Sequence, residues 1–392
     1  MKEILIRRQF LTLSGGALLA AAFAPICAKV VAAGGETKGI DRSRNGLAPL
    51  VGSKAADVYR KAFVLDCNTL ASVGSLGYEK DIGKDLQVIR DSGLGAFKTT
   101  LGGAHGTFEE AVADIAAAQA LIERYPDAFI KVVHHDDLER AAREHKTAVI
   151  FSFEAVSMLE GNLERIEMFR QFDVLVMQLS YNRKSPFGCG CLDGEMDGVT
   201  ELGRKAIAKM NALGIALDLS HANTRTTADG IATSTRPPLI THAGCRSVFA
   251  HPRNKEDREM KALADKGGVM GIYMLPFLTV DTRQPMLDDY MRHMQHALKV
   301  CGEDHVGIGT DSLFFTVDDD DLKQIAKDEA DRKKAGIGAP GENRPPYIPD
   351  LNTPRKLERV ADALLEHGYS ERVADKVLGL NFSRAFKEIW TA

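Results

Sequence analysis

The sequence has no excess of basic residues. Its 50 Lys and Arg face 54 Asp and Glu, a formal net charge of −4. With no basic face, nucleic acid is not an expected partner. No Gly-x-Gly-x-x-Gly follows the first apolar run, which removes support for a dinucleotide site. Long hydrophobic runs are also missing. The longest candidate, residues 13–24, is too short and too rich in Gly and Ala for a stable membrane span. Cysteines number six, and Cys189 and Cys191 are separated by one glycine, too close for a zinc knuckle. If Cys27 leaves with a leader, at least one thiol is free or bridges two chains; burial as small hydrophobes is the simpler account.

What is present is ordinary globular composition: 392 residues, 44% hydrophobic and 27% charged. That length suits two domains or one α/β barrel. The chain opens with an address. Arg7-Arg8-Gln9-Phe10-Leu11 is a twin-arginine pattern, and Ala28 or Ala33 suits a cleavage site. Residues 1–33 therefore read as a signal peptide for periplasmic or other export by the twin-arginine route. Residues 34–54 read as a polar linker, and residues 55–392 as one catalytic domain.

Eight apolar runs read as buried strands: residues 62–66, 96–101, 148–154, 174–180, 215–220, 238–242, 269–275 and 306–311. Helical spacing recurs between most of them, as in residues 108–124, where Phe108, Ala111, Ile115, Ala118 and Ile122 share a face. An extra apolar run, residues 129–133, leads into a charged helix. Strands alternating with helices predict an α/β fold, a (β/α)8 TIM-type barrel; an open doubly wound sheet is the alternative.

Polar residues at the ends of such strands are the candidate chemistry. They are Asp66 and Asn68 on the first strand, Glu154 on the third, Tyr181 and Asn182 on the fourth, His221 on the fifth, His242 on the sixth and Asp311 on the eighth. The runs carrying His221 and His242 flank one predicted helix, residues 223–234. Parallel neighbours lie about 4.8 Å apart, so both imidazoles reach one ion with bonds of about 2.1 Å. Glu154 and Asp311 either join them or cap the following helices. Nitrogen and oxygen donors suit zinc best, with manganese, cobalt or iron as other divalent choices. Arg253, in the loop after the sixth strand, either pairs with a substrate carboxylate or lies on the surface. Residues 317–352, acidic at their start and proline-rich later, read as a solvated insertion rather than a lid or partner contact.

Six stretches resemble the membrane (renal) dipeptidase family of zinc peptidases: LSYNRKSPFGCG (179–190), GVTELGRKAIAKMNALGIALDLSHAN (198–223), PLITHAGCRSVFAHPRN (238–254), DKGGVMGIYML (265–275), HVGIGTD (305–311) and HGYSERVADKVLGLNFSRAF (367–386). The resemblance covers roughly residue 55 to the end and implies the same barrel. It implies that Glu154 bridges two metals, that His221 and His242 complete one site, and that Asp311 binds the second and handles the proton. It implies that Arg253 holds the substrate's terminal carboxylate, and that a metal-activated water attacks the amide.

Two departures stand against the family pattern. The first strand of the family ends in His-x-Asp; here those positions hold Asn68 and Leu70. A leucine cannot bind metal, and Asn68 is a weak ligand. Tyr181 stands where the family has a histidine near the reacting centre, with Asn182 beside it as a further substrate contact. One tight zinc site with a doubtful second is the expectation. The leading function is an exported hydrolase of dipeptides or small amides. The alternatives are a divergent protein that matures an exported peptide-derived metabolite or siderophore, and a non-catalytic binding protein. A small molecule or dipeptide is the expected partner, and a homodimer is an open assembly.

Overall fold

The computed structural model describes residues 50, 52–70, 73–79, 81–104 and 106–391. The twin-arginine segment, both cleavage candidates and most of the linker lie outside the described residues. Within them, nine strands follow one another in the chain: β1 Leu65–Thr69, β2 Ala96–Thr100, β3 Phe129–Lys131, β4 Thr147–Phe153, β5 Val174–Gln178, β6 Ala216–Asp218, β7 Leu239–Ala243, β8 Val269–Ile272 and β9 Val306–Ile308. All pairings are parallel, in the order β1-β2-β4-β5-β6-β7-β8-β9. Helices alternate with these eight strands, giving the (β/α)8 architecture. The extra apolar run forms β3, which pairs with the first half of β4 and stays off the barrel path.

The first strand begins later than its hydropathy predicts. Residues 54–61 form a helix, and the Ala62 N–H still bonds back to Val58. Pairing starts only at Leu65, opposite Ala96. The shift puts Asp66 inside the strand and Asn68 near its end, so the two polar side chains do different work. Asp66 joins the last strand to the first. Its Oδ1 accepts the Thr310 N–H at 2.8 Å and its Oδ2 the Thr310 hydroxyl at 2.6 Å. One step on, the Asp311 N–H donates to the Asn68 carbonyl at 2.8 Å, and the Leu70 N–H donates to the Ser312 carbonyl at 3.1 Å. The ring of strands closes through these contacts.

Local signals set the helices. Residues 108–124 form the expected helix, opened by a reciprocal cap between Thr107 and Glu110. The helix between β6 and β7 runs Thr224–Thr233, with Asn223 as its N-cap. The insertion corrects the expectation of a solvated loop. Asp318 caps a helix at Asp319–Lys334. Asp321, Ile325, Asp328 and Arg332, at spacings of three and four, are its buried face. That face is mostly charged, so hydropathy does not reveal it. The five described cysteines are buried and form no disulfide. Among the described residues, no helix is long and apolar enough to cross a membrane.

Burial pushes the Asp66 carboxyl from its ordinary 3.8 up to about 6, against the pull of the Thr310 bonds. A raised acid contributes its stability below about pH 4 and loses it as pH climbs through about 6. Removing a donor raises it further. Thr310→Val is therefore expected to cost about 1.5–3 kcal/mol, measured as a shift in urea midpoint. The deficit should be larger at about pH 8 than at about pH 5. An equal deficit at both would show that Asp66 does not titrate in this range.

Candidate metal centre and substrate cavity

The C-terminal ends of β4, β6, β7 and β9 bring Glu154, His221, His242 and Asp311 together. Donor atoms of Glu154, His221 and His242 all lie within 4.8 Å of one another. His221 Nε2 is 3.9 Å from Glu154 Oε2, and His242 Nε2 is 4.0 Å from Asp311 Oδ2. The two Nε2 atoms face each other at 3.0 Å.

The hydrogen-bond network fixes the state of both rings. Asn182 Oδ1 lies 2.7 Å from His221 Nδ1 and can only accept, so Nδ1 carries the proton. His242 Nδ1 lies 2.9 Å from the Thr241 hydroxyl, whose own proton goes to Asp218 Oδ2 at 2.7 Å. That ring is also protonated on Nδ1. Both Nε2 atoms thus present bare lone pairs to each other. Burial, then the Arg253 charge, hold both imidazoles well below the usual histidine range. A proton between them is disfavoured, and a divalent cation resolves the repulsion. The donor set fits such an ion.

Asp218 anchors the arrangement from below. Its Oδ1 accepts from the Ser220 N–H, the Ser220 hydroxyl and the Thr241 N–H; its Oδ2 accepts from Gln178 and the Thr241 hydroxyl. The backbone at Asp311 is left-handed, with φ of 51°, a conformation that aspartate tolerates better than most residues. Burial, then the Glu154 charge, push the Asp311 carboxyl up to about 7.

Above the centre opens a cavity of about 1150 Å³ counted to its solvent mouth, lined among others by Leu70, Glu154, Tyr181, His221, Arg253 and Asp311. The insertion forms part of its wall through Ile325, Glu329, Arg332 and Glu342. Arg253 is 2% exposed, its Nη1 donates to the Ser220 carbonyl at 2.7 Å, and its buried Nη2 has no hydrogen-bond partner among the described residues. The expected surface alternative for this arginine does not hold. Tyr181 stacks on His221 with centroids 4.1 Å apart, and its hydroxyl accepts from Arg332 at 3.2 Å. Arg332 also grips Glu342 with two bonds of 3.0 Å.

A family model described as membrane dipeptidase (peptidase family M19) matches residues 89–327, well over half of the chain. The chain belongs to the membrane dipeptidase family. Its members are metallopeptidases. A protein from Klebsiella pneumoniae, described as uncharacterized and encoded in the pqqA 5′ region, is 26% identical over 264 residues, 65% of this chain and 86% of its own length. Dipeptidase tcpJ of Claviceps purpurea is 22% identical over 288 residues, 73% of this chain and 61% of its own. Among solved structures, an amidohydrolase from Pseudomonas aeruginosa superposes with a TM-score of 0.73 at 28% identity, covering 86% of this chain and 99% of its own.

Within this family frame, Asn182 is placed by its hydrogen bonds. It lies at the same end of the barrel, yet it does not line the cavity. Its Oδ1 is committed to His221 and its Nδ2 donates to the Ile337 carbonyl at 2.9 Å. Its bonds orient the His221 ring and tie the insertion down. Asn68 lies beneath Glu154 and Asp311, and Leu70 borders the cavity. Sequence reasoning missed Lys98, which reaches Asn68 from β2, and Asp218. The signal for each was a single charge inside a strand otherwise free of them, AFKTT and ALD.

An outer partner of a ligand histidine typically governs metal affinity by about 10–100-fold. Asn182→Leu is expected to weaken zinc binding by that factor, read by competition with a chelator. Unchanged affinity with a raised KM would support the substrate-contact role.

Proposed function

We propose that this protein is an exported, metal-dependent hydrolase of dipeptides or related small amides. The observation that carries the reading is the buried Arg253 Nη2, without a hydrogen-bond partner among the described residues, on the wall of a cavity that Glu154 and His221, of the cluster with His242, also line. A guanidinium with an open N–H in a closed site favours a carboxylate-bearing ligand. The cluster beside it favours cleavage of a bond close to that carboxylate.

In this proposal Glu154, His221 and His242 hold one divalent ion, with zinc best suited. When bound, the ion polarises a carbonyl and makes a water nucleophilic at neutral pH. Asp311, poised near neutrality, takes up a proton and returns it to the leaving amine. Arg253 orients the substrate by its terminal carboxylate. Tyr181, a phenol kept protonated by burial, is the hydrogen-bond donor at the position where the family resemblance implies a histidine. Closure by the insertion excludes water around these groups.

A second reading, altered chemistry on an exported peptide-derived metabolite, gains support from Asn68 and Leu70 at positions that suit metal ligands. A panel of free-acid dipeptides separates the two: turnover that disappears in His221→Ala supports hydrolysis, and binding without turnover supports the second. Arg253→Met should raise KM for free-acid substrates by the equivalent of about 2–5 kcal/mol. C-terminally amidated substrates should lose much less; equal losses would limit Arg253 to shaping its loop.

Export is part of the proposal and rests on Arg7-Arg8 alone. Replacing the pair by Lys-Lys should leave the precursor in the cytoplasm, detected by fractionation. Normal periplasmic delivery of that variant would refute the route.

A further inference from the structure

We propose that Lys98 is a built-in cation of a one-ion centre. With the Asn68 amide, it takes the place that a second metal ion would hold between Glu154 and Asp311. The inference rests on the proposed function in assuming that Glu154, His221 and His242 hold an ion.

Lys98 lies on β2 and is 1% exposed, inside the barrel. Its ammonium donates to Asn68 Oδ1 at 2.6 Å and to the Ser152 hydroxyl at 3.1 Å. Among the described residues it makes no direct ion pair with a carboxylate. An uncompensated charge at such depth is costly, so its compensation must be relayed. The relay is the amide. Asn68 Nδ2 donates to Glu154 Oε1 at 2.9 Å and to Asp311 Oδ1 at 3.0 Å.

The orientation of this amide is forced. An ammonium only donates, so the amide oxygen must face Lys98. Carboxylates only accept, so the NH2 must face Glu154 and Asp311. Flipping the amide to offer its oxygen to a metal between the carboxylates would lose both bonds and set NH2 against the ammonium. Lys98 thus holds Asn68 in the orientation that cannot serve a second ion.

Glu154 carries the same signature. Its Oε1 accepts from Asn68 and, at 3.0 Å, from the Thr100 hydroxyl. Its Oε2 lies 3.9 Å from His221 Nε2. One oxygen is engaged by fixed donors and the other points at the histidine cluster, an arrangement for a ligand to one ion and not a bridge between two. Leu70, at the cavity edge, offers no donor on that side. Lys98 is a positioning residue in this account: it acts on the centre through Asn68 and touches neither substrate nor ion.

Metal content reads the inference directly. The full mature chain, stripped with a chelator and reloaded with excess zinc or manganese, should retain one ion after dialysis by elemental analysis. The manganese form should give an uncoupled electron paramagnetic resonance signal. Asn68→His with Leu70→Asp should still hold about one ion, because Lys98 remains. Adding Lys98→Met to that pair should raise occupancy towards two. Two tight ions on the unmodified chain, or two on the double variant with Lys98 in place, would overturn the inference while leaving the hydrolase reading intact. No tight ion on the unmodified chain would instead overturn the proposed function on which the inference rests. Two tight ions on the unmodified chain overturn the inference even if a variant does not fold, and its support comes from the difference between the double and triple variants.

Discussion

Two neutral imidazoles hold their bare nitrogens 3.0 Å apart in the interior of the barrel. Much of the site follows from that one tension. Neither ring can turn away, because each Nδ1 proton is committed, one to Asn182 and the other to Thr241. Neither ring readily accepts a proton, because burial and Arg253 oppose a further positive charge. Such an arrangement is costly in isolation and favourable around a cation. Asp218 sustains it, since its carboxylate locks the Thr241 hydroxyl in the direction that leaves an acceptor for His242.

Across the site the problem is reversed. Glu154 and Asp311 are two carboxylates beside one amide, and like charges in a shared buried site repel. Asn68 separates them with one N–H for each, and Lys98 stands behind the amide. Neither imidazole carries a charge of its own, whereas the carboxylate pair already has an ammonium behind its amide. The asymmetry explains how a chain of this family tolerates Asn68 and Leu70 without leaving two carboxylates uncompensated. Arg253 adds its charge from the cavity wall, where its buried Nη2 has no hydrogen-bond partner among the described residues.

Hydropathy was enough to read the eight barrel strands, because strands buried on both faces appear as short apolar runs between turns. His221, His242 and Glu154 were legible for a related reason: a polar group ending such a run needs a partner. The start of β1 was not legible, since residues 62–64 are apolar yet finish the preceding helix and lead into the strand. The insertion was misread because its inward stripe of Asp321, Ile325, Asp328 and Arg332 is charged at three of four positions. Patterning detects a buried apolar face; it is blind to a buried ionic one. The direction of the Asn182 side chain was not legible in the sequence. Its neighbour Tyr181 borders the cavity, while Asn182 turns beneath His221.

Asn182 also joins two features that the sequence kept apart. Its oxygen sets the His221 tautomer, and its NH2 holds the Ile337 carbonyl of the insertion. The insertion is held a second time where His251 Nε2 meets the Pro340 carbonyl at 2.8 Å, with the His251 ring stacked on Phe277. From the helix of the insertion, Arg332 reaches the Tyr181 phenol, which lies against the other face of the same His221 system. The wall of the cavity is therefore bonded to the residues that orient the His221 ring. A displacement of the insertion strong enough to open the cavity fully must break the Asn182–Ile337 bond or draw Asn182 off His221. Enclosure of the cavity and orientation of the His221 ring are coupled through one amide side chain, Asn182.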